Sequence, residues 1–154
     1  TWSELSAGTN AVGTALALNA PAEVYSAEHF LSVAKIWSCS AAPVHDTLDG
    51  SILGVVDITS FGENHQSHCL ALAVTAAHQI EQTLQSRELA RAVQLLHWYQ
   101  THGQRWTQRA VIVLDRKGRV VTASDQARAL YADCHDCPPL ERGRAFVRVG
   151  GEPT

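Results

Sequence analysis

Cysteine and histidine residues form the group in this chain that is most suggestive of chemistry. Cys134 and Cys137 stand in a CxxC motif that also contains His135, and such a pair can provide half of a zinc site or form a redox-active disulfide. Distant residues would have to complete a metal site, and the candidates are His65, His68 and Cys69. Because only half of the ligands are local, we expect neither a metal nor another cofactor, and Cys134, His135 and Cys137 remain the alternative site.

Patterns typical of a catalytic centre are missing from the sequence. It contains no nucleophile elbow with a serine–histidine–aspartate order, no glycine-rich phosphate-binding loop and no pair of carboxylates at a spacing that suggests acid–base catalysis. We therefore predict that the chain is not an enzyme.

Composition sets the broad class. The chain has 154 residues, of which 45% are hydrophobic and 18% charged, as expected for one globular domain or one domain with part of a second. Its 12 basic and 15 acidic residues give a net charge of −3 without a basic cluster, so we expect no direct contact with nucleic acid. No apolar run is long enough to cross a membrane. Four scattered cysteines favour a reducing, cytoplasmic location, and the absence of methionine suggests a piece of a longer protein.

The elements that would position functional residues begin with a short helix and a hairpin. The pattern from Thr9 to Leu18 predicts a helix that Thr9 or Asn10 caps and that ends before Pro21. Residues 22–25 are a short strand candidate, and residues 26–34 have the pattern of a helix that Ser26 caps. Residues 36–45 and 51–60 are two strands joined by an Asp-Gly turn, which predicts an antiparallel hairpin.

The second half of the chain is predicted to start with a long helix. Residues 65–104 lack proline and are rich in strong helix formers, which predicts one helix, or two with a kink near Ser86. Its apolar stripe is longer than a small domain can cover, so we expect a partner chain to pack on Leu70, Leu84 and Leu96. A second hairpin at residues 109–123 and a short helix at residues 124–131 follow, with a possible strand at residues 145–149.

Several segments in fixed order resemble one family. The segments GTNAVGTAL, AEHF, SCSAAPVHD, GSILGVVDITS and HCL, followed by the helix to Glu81, are similar to the sensory GAF domain of bacterial transcription activators of acetoin and glycerol metabolism, the AcoR/DhaR-like type. The later segment AVIVLDRKGRVVTASDQARALY resembles the start of the PAS-type segment that follows GAF in such regulators.

The resemblance implies an α/β (α+β) fold, with a central antiparallel sheet of about six strands, flanking helices and a long signalling helix. It divides the chain into a GAF-like domain at residues 1–85, a signalling helix at residues 86–108, and a partial PAS-like segment at residues 109–154. The opening helix and strands of a GAF domain would precede Trp2, so they are expected to be truncated or replaced. The hairpin at residues 109–123 is one candidate for completing the sheet.

In such a fold a ligand pocket lies between the sheet and the helices on one face. The candidate lining residues are Asn10, Thr14, His29, Trp37, Cys39 and Asp57. Five of them have a plainer alternative: Asn10 and Thr14 could cap and pack a helix, Trp37 and Cys39 could fill the core, and His29 could pair with Glu28 at the surface.

The resulting prediction is a signal-sensing domain of a cytoplasmic bacterial transcription activator of the sigma-54-dependent, Fis-type class. It would bind a small metabolite or a regulatory protein and signal as a homodimer through the long helix. The first alternative is a thiol or metal sensor that uses Cys134 and Cys137. The last is an enzyme such as a GAF-type methionine sulfoxide reductase, which is disfavoured because only Cys39 lies in the expected sheet region.

Overall fold

The computed structural model describes residues 4–61, 66, 68–106 and 108–133, and the chain divides into two units, Thr1–Ser86 and Arg87–Thr154. The first unit contains the helices α1 (Glu4–Ala7) and α2 (Ala11–Leu18) and the strands β1 (Ala22–Val24), β2 (Trp37–His45) and β3 (Ile52–Phe61). The helix α3 (Cys69–His102) begins in this unit and continues into the second.

The predicted hairpin is confirmed and forms most of the first sheet. β2 and β3 pair antiparallel, with Cys39 opposite Thr59 and Ala41 opposite Asp57, and β1 adds to the free edge of β2. The turn closes because the Asp46 carbonyl accepts from the Gly50 amide at 2.8 Å and Gly50 adopts a φ of 72°, a conformation that favours glycine. Among the described residues the sheet has three strands, fewer than the six that the resemblance implies.

A helix covers each face of this sheet. Successive residues of a strand point to opposite sides, so neighbouring residues of β2 contact different helices. On one face, Ala11 and Ala15 of α2 pack with Cys39 and Ala41. On the other, Ala73 and Ala77 of α3 pack with Ala42 and Val44 of β2. The alanines of both helices allow the helix backbones to approach the sheet closely.

The helix predicted for residues 26–34 is wrong. Two 3₁₀ turns, Ser26–Glu28 and Ser32–Ala34, replace it, and the backbone between them is extended at His29. The Phe30 amide donates to the carbonyl of Thr9 at 3.1 Å, and the Ser26 hydroxyl donates to the carbonyl of Lys35 at 2.6 Å. These bonds to other segments replace the helical hydrogen bonds that the local pattern predicted.

The long helix is confirmed as one α-helix, Cys69–His102. Beyond it, β4 (Ile112–Leu114) and β5 (Val120–Ala123) form the predicted second hairpin as a two-stranded sheet. The helix α4 (Asp125–Ala132) follows, and Ser124 caps it by accepting from the Ala127 amide at 3.2 Å. The strand predicted at residues 145–149 lies outside the described residues. No helix in the described part of the chain combines the length and apolarity needed to span a membrane.

Candidate functional site

A cavity of about 370 Å³ lies between the start of α2, the 3₁₀ segment and one face of the hairpin, within the size range of small-molecule sites. Five of the six residues nominated from sequence contribute to its lining, and Thr14 does not. The lining residues are Asn10, Ala11, Val12, His29, Ala34, Trp37, Cys39, Asp57 and Thr59.

Asn10 forms the start of α2 at the cavity. Its side-chain oxygen accepts from the Gly13 amide at 2.8 Å, and its side-chain nitrogen donates to the Gly8 carbonyl at 2.7 Å. Asn10 is therefore the helix cap, as one of the two sequence interpretations holds. Thr14, one turn later, has a buried hydroxyl for which the described residues provide no hydrogen-bond partner.

His29 reaches the cavity because the chain is extended at this residue. The side chain is only 3% exposed, so the expected surface pair with Glu28 is wrong; Glu28 instead accepts from the Tyr25 amide at 2.7 Å. His29 Nδ1 lies 3.2 Å from the carbonyl oxygen of Ser26. Since that oxygen can only accept, Nδ1 carries the hydrogen of this bond.

Cys39, Thr59 and Asp57 form a short chain of hydrogen bonds across the hairpin. Thr59 Oγ1 donates to Asp57 Oδ2 at 2.7 Å, and Cys39 Sγ lies 3.3 Å from Thr59 Oγ1. Because the threonine hydroxyl has one hydrogen and gives it to the carboxylate, the thiol is the donor of the second bond. Burial, reinforced by the negative charge of Asp57, raises the pKa of the Cys39 thiol.

The raised pKa determines what this cysteine can do. The thiolate is the reactive form of cysteine, and the surroundings of Cys39 favour the thiol. Cys39 therefore acts as a weakly polar wall of the cavity and is a poor nucleophile. This arrangement does not favour a covalent reaction at Cys39.

Thr59 was not among the residues nominated from sequence. It lies directly opposite Cys39 and two residues after Asp57, so all three side chains share one face of the hairpin. The register of the hairpin places Thr59 beside Cys39 and Asp57. The sequence alone does not give that register, because a turn of several residues joins the strands.

The CxxC motif, with Cys134, His135 and Cys137, lies outside the described residues, as does His65. Of the other proposed ligands, Cys69 is buried at the start of α3, and His68 is exposed. In the described part of the chain, no group of three or more histidine, cysteine or acidic residues is arranged to hold a metal ion.

The three leucines predicted at a dimer interface differ in exposure. Leu84 is 37% exposed, whereas Leu70 and Leu96 are half-buried. Ala73 and Ala77, from the same predicted stripe, pack on the chain's own sheet. Part of the apolar stripe of α3 therefore packs in the chain's own core. The apolar residues beyond Glu81 are not part of that core contact.

A polar junction ties both helices to the end of β2. The carboxylate of Glu81 in α3 accepts from the His45 backbone amide at 2.7 Å and lies 3.0 Å from His45 Nδ1. His45 Nε2 lies 2.7 Å from the side-chain oxygen of Asn19, the residue that ends α2. Burial opposes the ionisation of Glu81, but the hydrogen bonds from His45, and a further one from His78, lower its pKa overall.

Comparisons with known proteins agree with the resemblance found in the sequence. The chain is 32% identical over 133 residues to the acetoin dehydrogenase operon transcriptional activator AcoR of Bacillus subtilis, covering 86% of this chain and 21% of that protein. It is 31% identical over 105 residues to the propane 2-monooxygenase operon transcriptional activator MimR of Mycolicibacterium goodii, covering 68% of this chain and 18% of that protein. The chain thus spans about a fifth of these curated relatives, which are named as regulators and not as enzymes.

The fold has a solved counterpart. The structure of the Escherichia coli DhaR(N)–DhaL complex contains a chain that superposes with a TM-score of 0.62 at 22% identity, covering 94% of this chain and 48% of that one. The chain therefore shares the mixed helix and antiparallel-sheet fold of that solved chain. The protein family described as "MimR, N-terminal domain" matches residues 1–82, which is more than half of the chain. The chain belongs to the MimR N-terminal domain family, and its named relatives are transcriptional activators of bacterial operons.

Proposed function

We propose that this chain is the GAF-type signal-input domain of a cytoplasmic bacterial transcription activator and that it binds a small metabolite in the cavity beside α2. The observation that carries this proposal is the lining: a volume of about 370 Å³ bounded by apolar residues and by the polar groups of His29, Asp57 and Thr59. A few placed polar groups in an otherwise apolar cavity are typical of small-molecule sites. The activator names of the relatives support the regulatory role.

The sheet supplies a route from the cavity to the output helix. β2 contributes Trp37 and Cys39 to the cavity on one face and Ala42 and Val44 to the contact with α3 on the other. A ligand that binds one packing of this strand better than another would shift the position of α3, by no more than its difference in affinity for the two states.

We further propose that α3 carries the signal in a homodimer. Leu84 follows Ala77 by seven residues and so continues the same helix face, and it remains 37% exposed. Leu89 and Val93 are 65% and 55% exposed and, with Leu96, form a shifted apolar stripe further along the helix. A second copy of the same helix provides a complementary apolar surface.

A regulatory protein is the second candidate for the signal. The structure that shares this fold was solved as a complex of DhaR(N) with DhaL. A protein ligand would act on the same two-state equilibrium without filling the cavity.

Isothermal titration calorimetry with acetoin tests the metabolite proposal, since two relatives carry acetoin in their names. We expect saturable binding at one site per chain. Val12→Phe places a larger side chain in the cavity lining and should abolish the binding, whereas Leu16→Phe, on the exposed part of α2, should leave it unchanged. Binding that survives Val12→Phe would place the ligand elsewhere and contradict the proposed site.

A further inference from the structure

The 3₁₀ segment, residues 26–35, differs from the other walls of the cavity in how it is held. The walls formed by α2 and the hairpin have regular hydrogen bonding and share a core, whereas residues 26–35 belong to neither a strand nor an α-helix. Two of its side chains, His29 and Ala34, are buried at the cavity, while Phe30 and Val33 are exposed. Segments with exposed backbone and few buried apolar contacts open at a lower free energy than the core, so this wall is the one expected to open.

Ser26 connects the two ends of the 3₁₀ segment. Its hydroxyl donates to the carbonyl of Lys35 at 2.6 Å. Its own carbonyl accepts from the His29 amide at 3.2 Å and lies 3.2 Å from His29 Nδ1. One residue therefore closes the segment and holds the imidazole ring at the cavity, while the bond from the Phe30 amide to the Thr9 carbonyl ties the middle of the segment to the residues before α2.

The backbone of Ser26 is in a disfavoured conformation. Its φ of 34° lies on the left-handed side, where a residue with a Cβ is crowded. Such conformations persist where surrounding contacts hold them, and they are common in segments that switch between two states. The hydroxyl bond to Lys35 is one of these contacts, and release of the backbone strain would favour the open segment once that bond is broken.

We propose that the 3₁₀ segment is the gate of the cavity and that Ser26 is its latch. Opening breaks the bond from Ser26 to Lys35 and the bond from Phe30 to Thr9, relaxes the Ser26 backbone and moves His29 away from the hairpin. The use of this gate to admit a metabolite rests on the proposed function. The opening itself can be measured without any metabolite.

The two buried cysteines of the first unit report on the opening. Cys39 lines the cavity, whereas Cys69 is buried at the start of α3 and does not line it. Alkylation of the chain with N-ethylmaleimide, followed by peptide mapping, gives a separate rate for each cysteine. Ser26→Ala removes the latch hydroxyl and keeps the Cβ. It should raise the rate at Cys39 about fivefold, the factor that corresponds to the loss of one average hydrogen bond, and leave the rate at Cys69 unchanged.

Ser32→Ala is the matched control, because Ser32 is an exposed serine at the start of the second 3₁₀ turn. It should change neither rate. Hydrogen exchange followed by mass spectrometry measures the same opening without a reagent. Peptides that cover residues 28–35 should exchange faster in Ser26→Ala than in the wild type, and peptides from α2 should not.

An unchanged rate at Cys39 in Ser26→Ala would overturn the latch. Equal increases at Cys39 and Cys69 would also overturn it, because they would show that the variant loosens the whole unit. A faster reaction of Cys39 without faster hydrogen exchange at residues 28–35 would mean that the reagent enters by another route, and the gate would be wrong. If the expected changes occur in a chain that binds no acetoin in calorimetry, the gate stands and the metabolite proposal alone is contradicted.

Discussion

Gly8, two residues before the start of α2, lies against Phe30, the residue that follows His29. Gly8 has a φ of 63°, in the left-handed region that side chains with a Cβ disfavour. A Cβ built at Gly8 would lie 2.4 Å from Cγ and 2.5 Å from Cβ of Phe30, close to the Phe30 backbone. The residue therefore combines a conformational and a steric requirement for glycine.

We predict that Gly8→Ala destabilises the chain by about 2 to 4 kcal/mol, the sum of the left-handed conformation and an overpacked contact. Gly50→Ala is the matched control, because Gly50 has a φ of 72° and no atom within 4 Å of the added Cβ; it should cost about 1 to 2 kcal/mol. Urea unfolding of the variants measures both. Adding Phe30→Ala to Gly8→Ala should recover only the part of the loss that is due to the Phe30 ring, because alanine keeps the Cβ that lies 2.5 Å from the added atom. Equal losses for Gly8→Ala and Gly50→Ala would show that the Phe30 contact does not matter.

At the scale of elements, the sequence predicted the hairpin and α3, whose conformations depend mainly on interactions between residues near in the chain. The hairpin is specified by two strand-forming segments and the turn at Gly50, and α3 by an uninterrupted run of helix formers. The segment at residues 26–34 failed because its conformation depends on hydrogen bonds to Thr9 and Lys35, and no local pattern records such bonds. Thr59 was missed for a related reason, since its role depends on the strand register.

The junction of His45, Glu81 and Asn19 predicts a dependence of stability on pH. Because the pKa of Glu81 is lowered in the folded chain, the folded state binds fewer protons than the unfolded state in acid. The resulting stabilisation is fully present above the ordinary pKa of 4.5 and is lost as the pH falls through the lowered value.

Glu81→Gln should therefore cost about 1 kcal/mol at pH 7 and flatten the decline in unfolding free energy below pH 4.5. Urea unfolding from pH 7 to pH 3 checks this. Glu88→Gln is the control on the same helix, because Glu88 pairs with Arg91 three residues away and is more exposed. An acid profile of Glu81→Gln that parallels the wild type would show that the junction does not contribute.

At the scale of the first unit, the sheet lies between the helix that borders the cavity and the helix proposed to carry the signal. Five of the residues nominated from residue types and the family resemblance line one cavity, and for Trp37, Cys39 and Asp57 the alternation of β2 and β3 explains why they share a face. Residue types and the resemblance left open whether Asn10 caps α2 or faces a ligand, and they did not reveal that His29 is buried. Both facts depend on how α2 and the 3₁₀ segment pack against the hairpin.

The largest-scale prediction concerns association through α3. Leu84→Glu and Leu96→Glu each introduce a charge into the proposed helix contact, which should weaken dimerisation at least about tenfold, since burying an unpaired charge at an interface is costly. Sedimentation velocity over a concentration series measures the association. Leu130→Glu is the matched control, because Leu130 lies on α4 and is 64% exposed. The proposed homodimer through α3 would be contradicted by a wild-type chain that sediments as a monomer. It would also be contradicted by a dimer that both α3 variants leave intact.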